Sequence, residues 1–295
     1  MKSSRRTKLI LGLALVVAAP GTLAIHSYGR VSGMIHPARV HVTVEDEAGA
    51  KRDLPGLEDV TFRTTDGLAL RAWFAPGSRR AAVVFVHGGG GNRTQLLPEA
   101  RILASHGYGV LAYDSRASGE SDGDLVTCGD HEQRDVAAAI DFVSARAEID
   151  SKRIGILGFS IGASTVALEA AGDPRVRAVV LYATWSSMED EIKGKAHRFG
   201  PLSWGPVLFG LRRQGIDVDA VRPIDHVAEI GPRPLLMIAG TDDSDTPVAV
   251  MKRVFEAASE PKELWVEPHA THGHCVEAAP EEYEKRVVGF FDRSL

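Results

Sequence analysis

Cysteine is scarce in this chain: Cys128 and Cys275 are the only two among 295 residues. With no C-x-x-C pair and no Cys/His spacing of ligand type, a zinc ribbon or a dithiol redox centre has nothing to build on. An exported chain would permit a disulfide between the two, but a pair of unpaired thiols is the simpler reading. A large charge of either sign is also missing. The formal net charge is −5, so no general electrostatic pull toward nucleic acid exists and no nucleic-acid partner is expected. Neither G-x-G-x-x-G nor Gly-Lys-Ser/Thr occurs, which removes the usual phosphate-cradling loops and the nucleotide cofactors they hold. Internal repeats and low-complexity segments are absent as well.

Long apolar runs are rare, and the clearest one is terminal. Lys2, Arg5, Arg6 and Lys8 precede the uncharged stretch Leu9 to Ala19, the positive region and apolar core of an export signal. Thr22-Leu23-Ala24 is a poor small-x-small cleavage site, and an apolar helix continued to Ile25 reaches the short end of the spanning range. Residues 1–25 therefore read as a signal peptide or a retained signal anchor. The anchor would make the membrane a partner and leave the C-terminal bulk outside the cytoplasm; a cleaved signal would give a secreted or periplasmic protein. Residues 26–57, polar and broken by Pro and Gly, read as a tether with one edge strand near 40–44.

From residue 58 the pattern becomes regular. Val60–Arg63 and Leu68–Phe74 alternate around Asp66-Gly67, a hairpin dipeptide. Ala81–His87 is a short continuous apolar run, suited to a strand buried on both faces. A helix starting near Pro98, strand Gly109–Tyr113, helix His131–Arg146, strand Arg153–Gly158, helix Ile161–Ala171 and strand Val176–Leu181 then alternate. Strand Leu235–Ala239, helix Pro247–Ala258, strand Glu263–Val266 and a last helix from Pro280 complete the series. Such alternation implies an α/β fold: a doubly wound, mainly parallel sheet with helices on both faces. The stretch 184–218 breaks the rhythm. Its Trp185, Met188, Phe199, Trp204, Phe209 and Leu211 argue against disorder, and a small helical lid is expected there.

The strongest local signal is Gly158-Phe159-Ser160-Ile161-Gly162, set between a buried strand and a helix. A serine that must present its oxygen at the top of a sheet needs a sharp strand-to-helix turn, and small residues on both sides let the backbone close. The helix beginning there adds partial positive charge where an oxyanion would form. Serine needs a base and an orienting acid to act at neutral pH. Two polar turns after later strands offer them: Gly240 to Pro247, with Asp242, Asp243 and Asp245, and Pro268 to His274, with His269, His272 and His274. The glycine run His87-Gly88-Gly89-Gly90-Gly91 supplies a loop whose backbone can approach a ligand closely.

These segments, with Tyr113-Asp114-Ser115-Arg116 and Gly119-Glu120-Ser121, resemble the exported or membrane-anchored bacterial α/β-hydrolases, a set that grades into dienelactone-hydrolase-like and prolyl-oligopeptidase-like enzymes. The resemblance spans roughly residues 58–295. It implies the α/β-hydrolase fold and a catalytic triad of Ser160 as nucleophile, Asp243 as acid and His272 as base. Asp242 and Asp245 rival the acid, and His274 and His269 rival the base. The backbone N–H groups of Ile161 and Gly89 are implied as the oxyanion hole, His87 as a hydrogen-bonder beneath the loop, and Asp114 and Arg116 as groups that hold their own turn. Ala163 departs from the second glycine found in many relatives, and Ser244-Asp245 from a usual apolar residue. The implied reaction is hydrolysis of a carboxylic ester with an apolar portion through an acyl-enzyme, with no metal or organic cofactor. A peptidase or acyltransferase of the same fold, or a non-catalytic membrane-tethered binding protein, are the alternatives.

Overall fold

The computed structural model describes residues 27–196 and 199–295. Eight strands form one sheet: β1 (Glu58–Arg63), β2 (Ala69–Ala75), β3 (Ala82–Val86), β4 (Gly109–Tyr113), β5 (Ile154–Phe159), β6 (Val176–Tyr182), β7 (Leu235–Gly240) and β8 (Lys262–Glu267). Their order is β1-β2-β4-β3-β5-β6-β7-β8. β1 and β2 form an antiparallel hairpin, β2 runs antiparallel to β4, and all other neighbours are parallel. β3, β4, β5 and β7 are buried at every residue, as continuous apolar runs covered on both faces must be.

The helices divide between those faces. α3 (Leu97–Ser105) and α11 (Pro280–Ser294) close one side, sending Ala100, Leu103, Tyr283, Val287 and Phe291 against Val83, Phe85, Leu157 and Val180. α4 (Gln133–Ser144), α5 (Ile161–Gly172) and α9 (Val248–Ala257) close the other, where Ile140, Val166 and Val254 meet Val84, Ile156 and Met237. This is the doubly wound α/β architecture that the alternation implied, and it matches the α/β-hydrolase fold that the resemblance implied. The stretch 184–218 holds two helices, α6 (Met188–Lys195) and α7 (Pro201–Arg213), whose Ile192, Val207 and Leu211 form a separate apolar cluster. The short helices α8 (Pro223–His226) and α10 (Cys275–Ala278) complete the set.

Residues 26–57 depart from the tether that the sequence suggests. A helix, α1, occupies 27–35, and α2 spans Val44–Asp53; no strand forms at 40–44. Val31 and Ile35 are buried in the cluster of α6 and α7, and Ala50 and Leu54 against Trp73. The connection between the two helices is tied down by polar bonds: Arg39 donates to the Ser121 carbonyl at 2.6 Å, and Asn92 donates to the Val40 carbonyl at 2.9 Å. Thr43 starts α2 with a reciprocal capping box to Asp46.

The expected membrane-anchored localisation is corrected at this point. Among the described residues no helix is long and apolar enough to cross a membrane, and α1 turns Val31 and Ile35 into the protein. The segment 1–25 on which that expectation rested lies outside the described residues.

Candidate active site

Four chain segments meet at the carboxyl ends of the central strands, where ligand sites form in open α/β sheets. β5 ends in Gly158-Phe159 and turns through Ser160 into α5. Ser160 has φ 54° and ψ −119°, a conformation that costs an ordinary side chain on the order of 1–3 kcal/mol and collects at functional sites. The flanking glycines explain how the turn closes. A Cβ on Gly158 would lie 2.5 Å from the Gly162 carbonyl oxygen, and one on Gly162 would lie 2.3 Å from that of Val86. No other residue fits either place without moving backbone.

His272 joins the serine to a carboxylate. Its Nδ1 lies 2.7 Å from Asp243 Oδ2, and its Nε2 lies 3.0 Å from Ser160 Oγ. A carboxylate only accepts, so Nδ1 carries the proton and donates to Asp243. Nε2 is left to accept the Ser160 hydroxyl. Asp243 is buried, and its other oxygen accepts the N–H groups of Asp245 and Thr246 at 2.9 and 2.7 Å. The rivals lie elsewhere. Asp242 and Asp245 are exposed, the latter 3.4 Å from Lys195 Nζ. His269 is exposed, its ring 3.7 Å from Asp242, and His274 is exposed beside Glu277. Of the three aspartates and three histidines on these turns, the structure brings only Asp243 and His272 to Ser160.

Phe159, the variable residue of the serine motif, turns out to be the spacer at the centre of the site. Its ring packs on the imidazole of His272 with centroids 4.7 Å apart and on Tyr182 at 5.1 Å. A Cβ on Gly273 would come within 2.7 Å of that ring, and one on Gly88 within 2.9 Å. The glycine after His272 therefore makes room for Phe159, and Gly273 also holds φ 81°. The Tyr182 hydroxyl accepts the Cys275 N–H at 2.7 Å, fixing the segment just after the histidine.

The glycine loop faces the same point. Ile161 opens α5, so its N–H has no carbonyl one turn back within the helix. A Cβ on Gly89 would strike the Ile161 side chain at 2.6 Å, which places the loop against the start of that helix. Gln95 holds the loop from behind, its Oε1 accepting the Gly88 N–H at 2.7 Å. His87 is buried beneath it; Nε2 accepts the Ser115 N–H at 3.0 Å, so Nδ1 donates to the Gly88 carbonyl at 2.7 Å. Burial pushes its pKa below the usual imidazole value, as suits a neutral structural group. Asp114 and Arg116 do not pair with one another. Asp114 accepts from Arg93 at 2.5 Å and from the Glu120 N–H at 2.9 Å, whereas Arg116 binds Asp135 at 2.7 Å and Asp66 at 2.9 Å.

Cys128 and Cys275 are both buried and unpaired; burial lifts the Cys275 thiol to about 11, far from a reactive thiolate. Among the described residues no group of three or more His, Cys, Asp or Glu is placed to hold a metal ion. Gln95, Phe159 and Tyr182 are the residues that sequence reading passes over. Their roles come from contacts between distant segments, and only the motif position of Phe159 hints at its place.

Beside Gly89 and Ile161 opens a cavity of about 390 Å³, within the range of small-molecule sites. Its wall combines Met34, Val126, Ile161, Trp185 and Ile192 with the charged Arg30, Glu191 and Lys195.

Comparison with known proteins bears on the fold and the family. The family model for X-Pro dipeptidyl-peptidases (S15 family) matches residues 23–210. An uncharacterized protein of Mycobacterium tuberculosis is 31% identical over 80% of this chain and 77% of its own length. An α/β hydrolase domain-containing protein of Arabidopsis thaliana is 29% identical over 80% and 79%. An esterase of Pyrococcus furiosus superposes with a TM-score of 0.73 at 25% identity, covering 88% of this chain and 99% of that one. The chain thus belongs to the X-Pro dipeptidyl-peptidase (S15) family and, with it, to the α/β-hydrolase superfamily of hydrolytic enzymes.

Proposed function

We propose that the protein is a serine hydrolase that cleaves a carboxylic ester through an acyl-enzyme on Ser160. The observation that carries this reading is the hydrogen-bonded line from Asp243 through His272 to Ser160. In the first half-reaction Ser160 Oγ bonds to the ester carbonyl carbon while His272 Nε2 takes its proton, and Asp243 stabilises the resulting imidazolium. The carbonyl oxygen, now anionic, accepts from the N–H groups of Ile161 and Gly89. As the carbon–oxygen bond breaks, His272 returns the proton to the leaving alcohol. Water then attacks the acyl-enzyme with His272 again as base, releasing the acid and restoring Ser160.

The apolar part of the substrate occupies the cavity beside Gly89, and α6 with α7 acts as its lid. Similarity to the Pyrococcus furiosus esterase supports an ester. A second reading, removal of an X-Pro dipeptide, is favoured by the family model. Initial rates on p-nitrophenyl esters and on an X-Pro p-nitroanilide separate the two. The ester reading expects turnover of short p-nitrophenyl esters that falls about 10⁴-fold or more in Ser160→Ala. A higher kcat/KM on the anilide than on every ester would transfer the assignment to the peptide.

A further inference from the structure

The wall of the cavity beside Gly89 holds a guanidinium that no neighbouring side chain pairs. Glu191 Oε1 lies 2.7 Å from Lys195 Nζ, which also sits 3.4 Å from Asp245. Lys195 is thereby paired on both sides. Arg30 of α1, half-buried in the same wall, has no ion-pair or hydrogen-bond partner among the described residues. The rest of the lining is largely apolar: Met34, Val126, Ile161 and Ile192. Trp185, on the same wall, keeps its buried indole N–H without an acceptor. Unmatched donors around an apolar space favour a ligand that brings acceptors and negative charge, because a partly desolvated guanidinium gains most from a planar carboxylate.

We propose that Arg30 sets substrate specificity, selecting esters whose acyl group ends in a carboxylate at the far end of a short apolar chain. The inference rests on the ester-hydrolase reading and names the substrate class for that same site. The acyl carbonyl would lie at Ser160 and the N–H groups of Ile161 and Gly89. The methylenes would lie against Met34, Val126 and Ile192, and the terminal carboxylate would reach Arg30. At about 390 Å³ the cavity is at the small end for ligand sites, which run to about 1,000 Å³, so a short dicarboxylic monoester suits it better than a fatty ester. Arg30 precedes the region recognisable from sequence as the enzyme core, and only the packing of α1 brings it here.

The test compares mono-p-nitrophenyl adipate with p-nitrophenyl hexanoate, two acyl chains of equal length that differ in the terminal carboxylate. Wild type is expected to favour the adipate about tenfold in kcat/KM, mainly through KM. In Arg30→Gln that ratio should collapse to about one or below, whereas Arg30→Lys should keep part of it. Raising the salt concentration should lower the wild-type ratio modestly, since an ion pair on a half-buried guanidinium is still partly screened. Wild type that turns over the hexanoate at least as well as the adipate, or an Arg30→Gln variant with an unchanged ratio, overturns the proposal while leaving the hydrolase reading intact. A folded wild type that cleaves neither ester overturns both.

Discussion

At the scale of single residues, burial separates candidates that the sequence places close together. Asp242, Asp243 and Asp245 share one polar turn, and only the family resemblance favours Asp243 among them. Asp243 alone is withdrawn from water and bound on both oxygens, by His272 on one and by two backbone N–H groups on the other. Asp243→Asn is therefore expected to lower kcat about 10⁴-fold, because an amide that donates to Nδ1 holds the imidazole in the wrong tautomer. Asp242→Asn should stay within about twofold of wild type by the same steady-state assay. Equal losses in the two variants would refute the assignment of the acid.

Glu99, on α3, makes a different kind of test. It is buried with one carboxylate oxygen unpartnered, and burial lifts its pKa from 4.5 to about 8. The folded protein thus keeps a proton that the unfolded chain releases near its ordinary value. Stability from this group is complete below about pH 4.5, declines as pH rises and is lost above about pH 8. Glu99→Gln removes the charge without changing shape. Its unfolding free energy should exceed that of wild type at pH 8 to 9 by an amount on the order of 1–3 kcal/mol, read as a higher Tm, with the gap closing toward pH 5. Parallel melting curves across that range would show that Glu99 finds a partner when ionised.

At the scale of elements, most of the sheet was legible because each strand is a local pattern. β3, β4, β5, β6 and β7 are short apolar runs bounded by polar or glycine-containing turns, and their bounds fall within about a residue of the observed ones. The first two helices were not legible, for two physical reasons. α2 reads as Val-Glu-Asp-Glu-Ala-Gly-Ala-Lys-Arg-Asp and buries only Gly49 and Ala50 along its length, so no apolar stripe announces it. The Thr43-x-x-Asp46 capping box was the one signal present. α1 follows the basic and apolar terminus, and its buried Val31 and Ile35 stand among polar, Pro- and Gly-broken residues that read as a tether. Packing makes a simple distinction possible. Ile35→Ala should destabilise the protein by about 2–5 kcal/mol in urea unfolding, the cost of a deleted core side chain. A residue in a loose tether would change stability by less than about 0.5 kcal/mol.

At the scale of the whole molecule, the sheet acts as a frame that brings distant turns to one place. Ser160 follows β5, Asp243 follows β7, His272 follows β8 and the glycine loop follows β3. All four lie at the carboxyl ends of parallel strands of one sheet, so their meeting is set by strand order rather than by proximity in sequence. The serine motif was readable because its strain is local, needing glycines two residues to either side. The wall of the cavity beside Gly89 was not, since it joins α1, α6 and the loops after β3 and β4, segments up to about 165 residues apart. The central claim is that Ser160 is a nucleophile activated by this assembled line. The measurement that reaches it most directly is labelling of the intact protein with a fluorophosphonate, followed by peptide mapping of the adduct. A single adduct on Ser160, lost in His272→Ala, is the expected result. Absence of labelling in a folded wild type, or an adduct at another serine, would contradict the claim.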